Sequence, residues 1–128
     1  MIIPTLRYDD AKAAIDFLES AFGFDRKAVM ENEDGTIGHA ELTSGRGMVM
    51  LGSTGRGDAQ FDTGHASIYV VVEDPDAVHD RAKAAGAEVS RGLQDMDYGS
   101  REFTAKDPEG NVWSFGTYDP FAMETEPS

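Results

Sequence analysis

Tyr98-Gly-Ser-Arg-Glu-Phe-Thr-Ala-Lys-Asp-Pro-Glu-Gly-Asn-Val-Trp-Ser-Phe-Gly-Thr-Tyr118 reads as two strands joined by a tight turn. Asp107-Pro108-Glu109-Gly110 carries turn chemistry throughout: Asp accepts backbone N–H bonds, Pro presets φ, and Gly closes the turn. Arg101–Lys106 and Val112–Tyr118 flank it and are rich in aromatic and β-branched residues. A rougher copy lies upstream, where His39–Thr43 and Met48–Ser53 flank Ser44-Gly45-Arg46-Gly47. The chain therefore reads as one unit built twice.

Working outward, Ile2–Tyr8 reads as a strand, and Asp9 or Asp10 as the cap of a following helix. Ala11, Ala14, Ile15, Leu18 and Phe22 fall at helical spacing, and Gly23 supplies the stop. Phe24–Glu33 is a candidate strand and Asp34-Gly35 a hairpin turn. Ile37–Thr43 and Met48–Ser53 complete a βαβββ module over about residues 1–53. Residues 54–64 belong to a polar, Gly-rich linker; its glycines lack the strand–loop–helix context of a phosphate cradle.

The second module, about residues 65–118, opens with a strand at His65–Glu73. Asp74-Pro75 starts a helix, Val78, Ala82 and Ala85 form its apolar stripe, and Gly86 ends it. Ala87–Arg91 reads as a short strand, Leu93–Asp97 as a polar loop, and residues 119–128 as a fraying acidic tail. Asp10 and Asp74, Leu51 and Phe115, and Gly52 and Gly116 are each 64 positions apart, half the 128 residues. The two modules make one domain over 1–128.

Eleven Lys+Arg against 24 Asp+Glu give a formal charge of −13. Such a surface repels nucleic acid and anionic membranes, and it favours cationic ligands if it favours any. With no Cys, disulfides, thiolate metal sites and a Cys nucleophile are excluded. No apolar run approaches the ~20 residues of a membrane span, and the N-terminus lacks a signal-peptide pattern, so the cytoplasm is the expected location.

Leu6-Arg7-Tyr8-Asp9-Asp10, Ala21-Phe22-Gly23-Phe24, Gly38-His39-Ala40-Glu41-Leu42, and Arg101 through Gly116 with its Asp107-Pro108-Glu109-Gly110-Asn111 carry a family resemblance. The chain resembles the vicinal oxygen chelate superfamily of glyoxalases, bleomycin-resistance proteins and extradiol dioxygenases. The resemblance implies an α+β fold in which two βαβββ modules curl into an open mixed β-barrel around a cleft, and it implies a homodimer. Its metal enzymes place four His or Glu ligands on the barrel strands. Carried over, those positions fall on Ile3, seven before Asp10; Ser67, seven before Asp74; Ser114, two beyond Val112; and Met50, by the offset. Ile and Met are not ligands for a hard or borderline divalent ion, and two serines are poor ones. A slip of one residue restores no ligand set. No metal and no cofactor are expected.

Strand alternation then sorts the neighbours. If Met50 and Ser114 face the cleft, so do Met48, Val112, Gly116 and Tyr118, while Trp113, Phe115, Val49 and Leu51 face the helices. Ala40 and Leu42 read as core, which puts His39 and Glu41 on the cleft side. There they bind a polar ligand, act as an acid–base pair, or only order the strand or a dimer interface. Arg101 either holds an anionic group bidentately or pairs with one of the many acidic residues. Tyr98 sits at the cleft lip, and the thioethers of Met48 and Met50 suit an apolar ligand. His65 and His79 read as surface residues without a role.

The candidate ligand-binding set is thus His39, Glu41, Met48, Met50, Tyr98, Arg101 and Ser114, with no catalytic residue assigned. The favoured reading is a metal-free small-molecule binder of the bleomycin-resistance kind that sequesters a drug or metabolite. The alternative is an isomerase, lyase or dioxygenase, either metal-dependent or based on His39 and Glu41.

Overall fold

The computed structural model describes residues 1–124, with side chains through Ala122. In order, β1 (Thr5–Tyr8), α1 (Ala11–Phe22), β2 (Asp25–Glu31), β3 (Ile37–Ser44) and β4 (Gly47–Ser53) form the first module. A 3-10 turn at Ala59–Phe61 interrupts the linker. Then β5 (Ser67–Val71), α2 (Pro75–Ala84), β6 (Glu88–Asp95), β7 (Arg101–Lys106) and β8 (Val112–Gly116) form the second, and α3 (Pro120–Glu124) follows. The sheets run β1-β4-β3-β2 and β5-β8-β7-β6. Each has one parallel pair, β1 with β4 and β5 with β8, and is otherwise antiparallel. The class is α+β with two mixed four-stranded sheets, and the two remain separate rather than closing into a barrel.

The repeat holds at atomic detail. Asp10 accepts from Ala13 N and Asp74 from Ala77 N, both at 3.1 Å, so the same carboxylate caps the same turn in both modules. Leu6 pairs with Leu51 as Val70 pairs with Phe115, and Arg7 with Gly52 as Val71 with Gly116. The 64-residue offset is therefore a matched strand register.

One core serves both modules. Leu6, Tyr8, Ile15, Leu18, Phe22, Leu42 and Leu51 of the first join Phe103, Trp113 and Phe115 of the second. Phe22 bridges them, with ring centroids 5.8 Å from Trp113 and 4.8 Å from Phe115. Phe24 meets Trp113 edge-on at 5.4 Å. Burying rings of this size supplies the largest part of the adhesion between the modules.

Polar ties fix how the modules meet. Asp107, in the turn between β7 and β8, is 5% exposed. It accepts from Tyr8 Oη at 2.7 Å, Trp113 Nε1 at 3.0 Å, Asn111 Nδ2 at 3.0 Å, and the backbone N–H groups of Glu109 and Asn111 at 3.0 and 3.1 Å. The adjoining Glu109 carboxylate accepts from Asp9 N at 2.7 Å and Asp10 N at 2.9 Å, at the entry to α1. The turn thus closes its own hairpin and clamps the first module.

The opposite end of α1 is held from α2. Gly23, at φ 74°, ends α1 in the left-handed conformation. Arg81 donates from Nε to Ser20 O at 3.0 Å and from Nη2 to Glu19 O at 3.1 Å, adding a second donor to Glu19 O, which already accepts from Gly23 N at 3.1 Å. A Cβ at Gly23 would lie 3.2 Å from Arg81 Nη1. Arg81→Ala is expected to lower stability by about 1–2 kcal/mol, from the lost cap and its favourable charge at a helix C-terminus. Urea unfolding followed by circular dichroism measures it; an unchanged midpoint contradicts the strut.

Four expectations need correction. β1 begins at Thr5, so Ile3 precedes the strand. β6 runs through Asp95, taking in residues expected as a loop, because Gln94 and Asp95 pair with Glu102 and Arg101 after a register shift. The tail forms α3, where the Asp119 carboxylate accepts from the N–H groups of Phe121 and Ala122; the rest of the expected fraying tail, 125–128, lies outside the described residues. His79 is mostly covered and packs edge-on against core Phe103 at 5.2 Å.

Candidate functional site

The alternation read from sequence is observed. Val49, Leu51, Trp113 and Phe115 are buried on the helix side, and Ala40 and Leu42 are fully buried beside them. Met48, Met50, Val112 and Ser114 therefore occupy the open faces of the sheets, away from the shared core. On the first sheet Met50 lies opposite Glu41, and Met30 opposite His39. His39 Nε2 and Glu41 Oε2 are 3.0 Å apart, both partly exposed. His39, Glu41, Met48 and Met50 thus share one surface.

Ser114 and Tyr98 belong to the second sheet and its β6–β7 turn. No strand of either sheet runs alongside a strand of the other among the described residues. The candidate set is divided between two open faces. Two surface hollows, of about 370 and 320 Å³, lie along the linker and include none of the seven candidates.

Arg101 follows its ion-pair reading, and its place in the candidate ligand set is the correction. It shares a strand face with Phe103 and Ala105, both fully buried on the helix side. Its guanidinium grips Asp76 on α2, from Nε at 2.7 Å and Nη2 at 3.2 Å, and reaches Asp95 at 3.1 Å. These hydrogen bonds hold the guanidinium above its ordinary range and the Asp76 carboxyl below its own. Arg101 is an ion-pair strut and does not share the open face with the other candidates.

The four positions carried over for metal ligands do not make a donor set. Ile3 and Met50 offer no hard donor. The Ser114 hydroxyl is hydrogen-bonded to Thr104 Oγ1 at 3.0 Å. Ser67 pairs with Val112, so the strand residue opposite Ser114 is Tyr69, whose hydroxyl is donated to Glu102 at 2.8 Å. Among the described residues, no three His, Cys, Asp or Glu side chains of one chain converge to hold an ion.

The open face of the second sheet holds a cluster that sequence patterning did not find. Glu102, on β7, is 3% exposed. Its Oε2 accepts from Tyr69 on β5, and its Oε1 from Tyr98 at 2.8 Å and from Arg91 Nη2 at 3.4 Å. Burial pushes the carboxyl up, but the hydroxyls of Tyr98, Tyr69 and Ser100 and the Arg91 charge outweigh it and hold Glu102 below the ordinary carboxylate range. Gly116 makes the space: a Cβ there would lie 2.3 Å from Tyr69 Oη and 2.5 Å from Glu102 Cγ.

A carboxyl held low in the folded state adds stability that is complete above its unfolded pKa and is lost as pH falls through the folded value. Glu102→Gln should therefore destabilise near neutrality, with the gap to the parent shrinking on acidification. Urea midpoints across the acid limb check this; a gap that widens on acidification contradicts it.

The geometry agrees with the comparisons to known proteins. A model of the Glyoxalase/Bleomycin resistance protein/Dioxygenase superfamily matches residues 3–115, and the chain belongs to that superfamily. It is 34% identical to an uncharacterized protein of Mycobacterium bovis over 121 residues, covering 88% of this chain and 80% of that protein. Among solved structures, TioX from Micromonospora sp. ML1 is 35% identical with a TM-score of 0.78, over 90% of this chain and 95% of TioX. Lactoylglutathione lyase from Agrobacterium tumefaciens shares the fold at 23% identity and a TM-score of 0.69, over 91% of both chains. No helix among the described residues is long and apolar enough to cross a membrane.

Proposed function

We propose that this chain binds a small organic molecule without a metal, in a cleft walled by the open faces of both sheets. The observation carrying this reading is the occupancy of the superfamily's ligand positions by Ile3, Met50, Ser67 and Ser114, with the Ser114 hydroxyl already paired to Thr104. Thioethers, hydroxyls and exposed aromatic rings beside a few fixed polar groups are the usual make-up of an organic-ligand site. The His39–Glu41 pair supplies hydrogen-bonding groups on the first sheet, and Tyr98 and Ser114 on the second.

Each face is open in a single chain, and a homodimer completes the cleft by setting the first sheet of one copy against the second sheet of the other. Symmetric pairing of this kind also covers exposed strand edges. Sequestration of a drug or metabolite is the resulting role. Elemental analysis of dialysed protein tests the metal-free part. Less than about a tenth of an equivalent of transition metal per chain is expected; one equivalent that only a chelator removes would overturn it.

The 3.0 Å His39–Glu41 contact supports one further reading, a general acid–base pair acting on the bound molecule. His39→Gln separates the two. A binder loses only affinity, by about 2- to 10-fold for a lost hydrogen bond, with no turnover to lose, whereas an enzyme loses turnover by about 10²-fold or more.

A further inference from the structure

We propose that Tyr98 and Tyr118, with Tyr69 beside them and Glu102 beneath, form a subsite for an alkylated ammonium group of the bound molecule. The inference rests on the reading of the open sheet faces as a ligand cleft and gives the ligand a charge.

Three tyrosines stand exposed on this face: Tyr69 at 41%, Tyr98 at 59% and Tyr118 at 41%. Large exposed rings cost solvation unless something covers them. They are also not loose. Tyr98 and Tyr69 are tethered by their hydroxyls to the two oxygens of one buried carboxylate. Tyr118 is held by its backbone N–H, which donates to Tyr69 Oη at 3.2 Å and Ser100 Oγ at 3.1 Å. The Tyr98 and Tyr118 rings meet at 5.9 Å and 81°, two walls of a corner.

A corner of two aromatic faces is the arrangement that holds a quaternary ammonium, by attraction of the cation to the ring quadrupoles. A phenol hydroxyl donating to a carboxylate pushes electron density into its ring and strengthens that attraction. The nearby cation, Arg91, is directed at Glu102 rather than at a ring face. The chain's charge of −13 raises the local concentration of cations around the site. An anion would gain only Arg91, and would face Glu102 across it.

The probe is choline, compared with 3,3-dimethyl-1-butanol, its uncharged isostere, by NMR titration of the full chain with labelled tyrosine rings. Choline should shift the Tyr98 and Tyr118 ring signals to saturation, and the isostere should bind about tenfold more weakly. Tyr98→Leu and Tyr118→Leu should each weaken choline about tenfold. If a leucine variant loses its fold, Tyr98→Phe keeps the ring and cuts the tether to Glu102, and it should also weaken choline. Equal binding of choline and its isostere, no choline binding, or unchanged affinity in the folded variants would overturn the proposal. If choline fails to bind while a neutral compound binds the cleft and is lost in Met50→Glu, the cleft stands and its cationic subsite falls.

Discussion

Asp107→Ala is expected to destabilise the protein by about 3–5 kcal/mol, a large share of the ~5–15 kcal/mol that holds a domain together. The carboxylate is the shared acceptor for Tyr8 Oη, Trp113 Nε1, Asn111 Nδ2 and two backbone N–H groups. Removing it strands several donors at once, and each buried unpaired donor costs about 1–3 kcal/mol. Tyr8 belongs to the first module and Trp113 to the second, so the loss falls on the contact between modules as well as on the turn. Asp107→Asn keeps one acceptor oxygen and turns an amide toward the donors, and its cost should be intermediate. Urea unfolding read by Trp113 fluorescence measures all three proteins. Asp97→Ala, at an exposed turn position, is the control and should shift stability by less than about 0.5 kcal/mol. If Asp107→Ala behaved like Asp97→Ala, the turn would not be the tie between the modules.

Gly116→Ala is expected to cost about 2–4 kcal/mol and to disperse the tyrosine cluster. The added Cβ would fall 2.3 Å from Tyr69 Oη and 2.5 Å from Glu102 Cγ, far inside contact distance. Tyr69 can swing away, but Glu102 is buried and its Cγ is close to the strand. Overpacking of this kind costs about 1–3 kcal/mol, and loosening the hydroxyls that hold the carboxylate adds to it. Tyrosine ring signals that keep their native positions in the folded variant would contradict the close approach.

The fold was legible because its signals are local and repeated. The Asp107-Pro108-Glu109-Gly110 turn, the Asp10 and Asp74 caps, and the Gly23 stop each lie within a few residues of what they control. The parity of Trp113 and Phe115 then fixed which side of the strand was core. β6 was read too short because its second half is polar and exposed, and it is a strand only through pairing with β7. The many acidic residues already pointed Arg101 to an ion pair; its face could have been placed by the same parity, since Phe103 and Ala105 share it.

The Glu102 cluster was not legible. Tyr69, Arg91, Tyr98 and Glu102 come from different elements, and no spacing in the chain joins them. Nor does a turn motif announce that its Asp107 reaches Tyr8, 99 residues away.

The proposal that the cleft is shared between two copies is tested most directly by complementation of two defective variants. Met50→Glu spoils the first-sheet wall, and Ser114→Arg spoils the second. The probe is the tightest cleft compound from a thermal-shift screen of cationic glycopeptides, planar aromatics and dicarbonyl metabolites, titrated by calorimetry. Neither variant alone should bind it. After unfolding, mixing in equal amounts and refolding, half of the dimers carry one copy of each variant, and each of these has one intact cleft. Binding should return to about a quarter of the parent's sites with the parent's affinity. A mixture that stays inactive, while both variants remain folded and dimeric, would contradict a cleft built from the first sheet of one copy and the second sheet of the other.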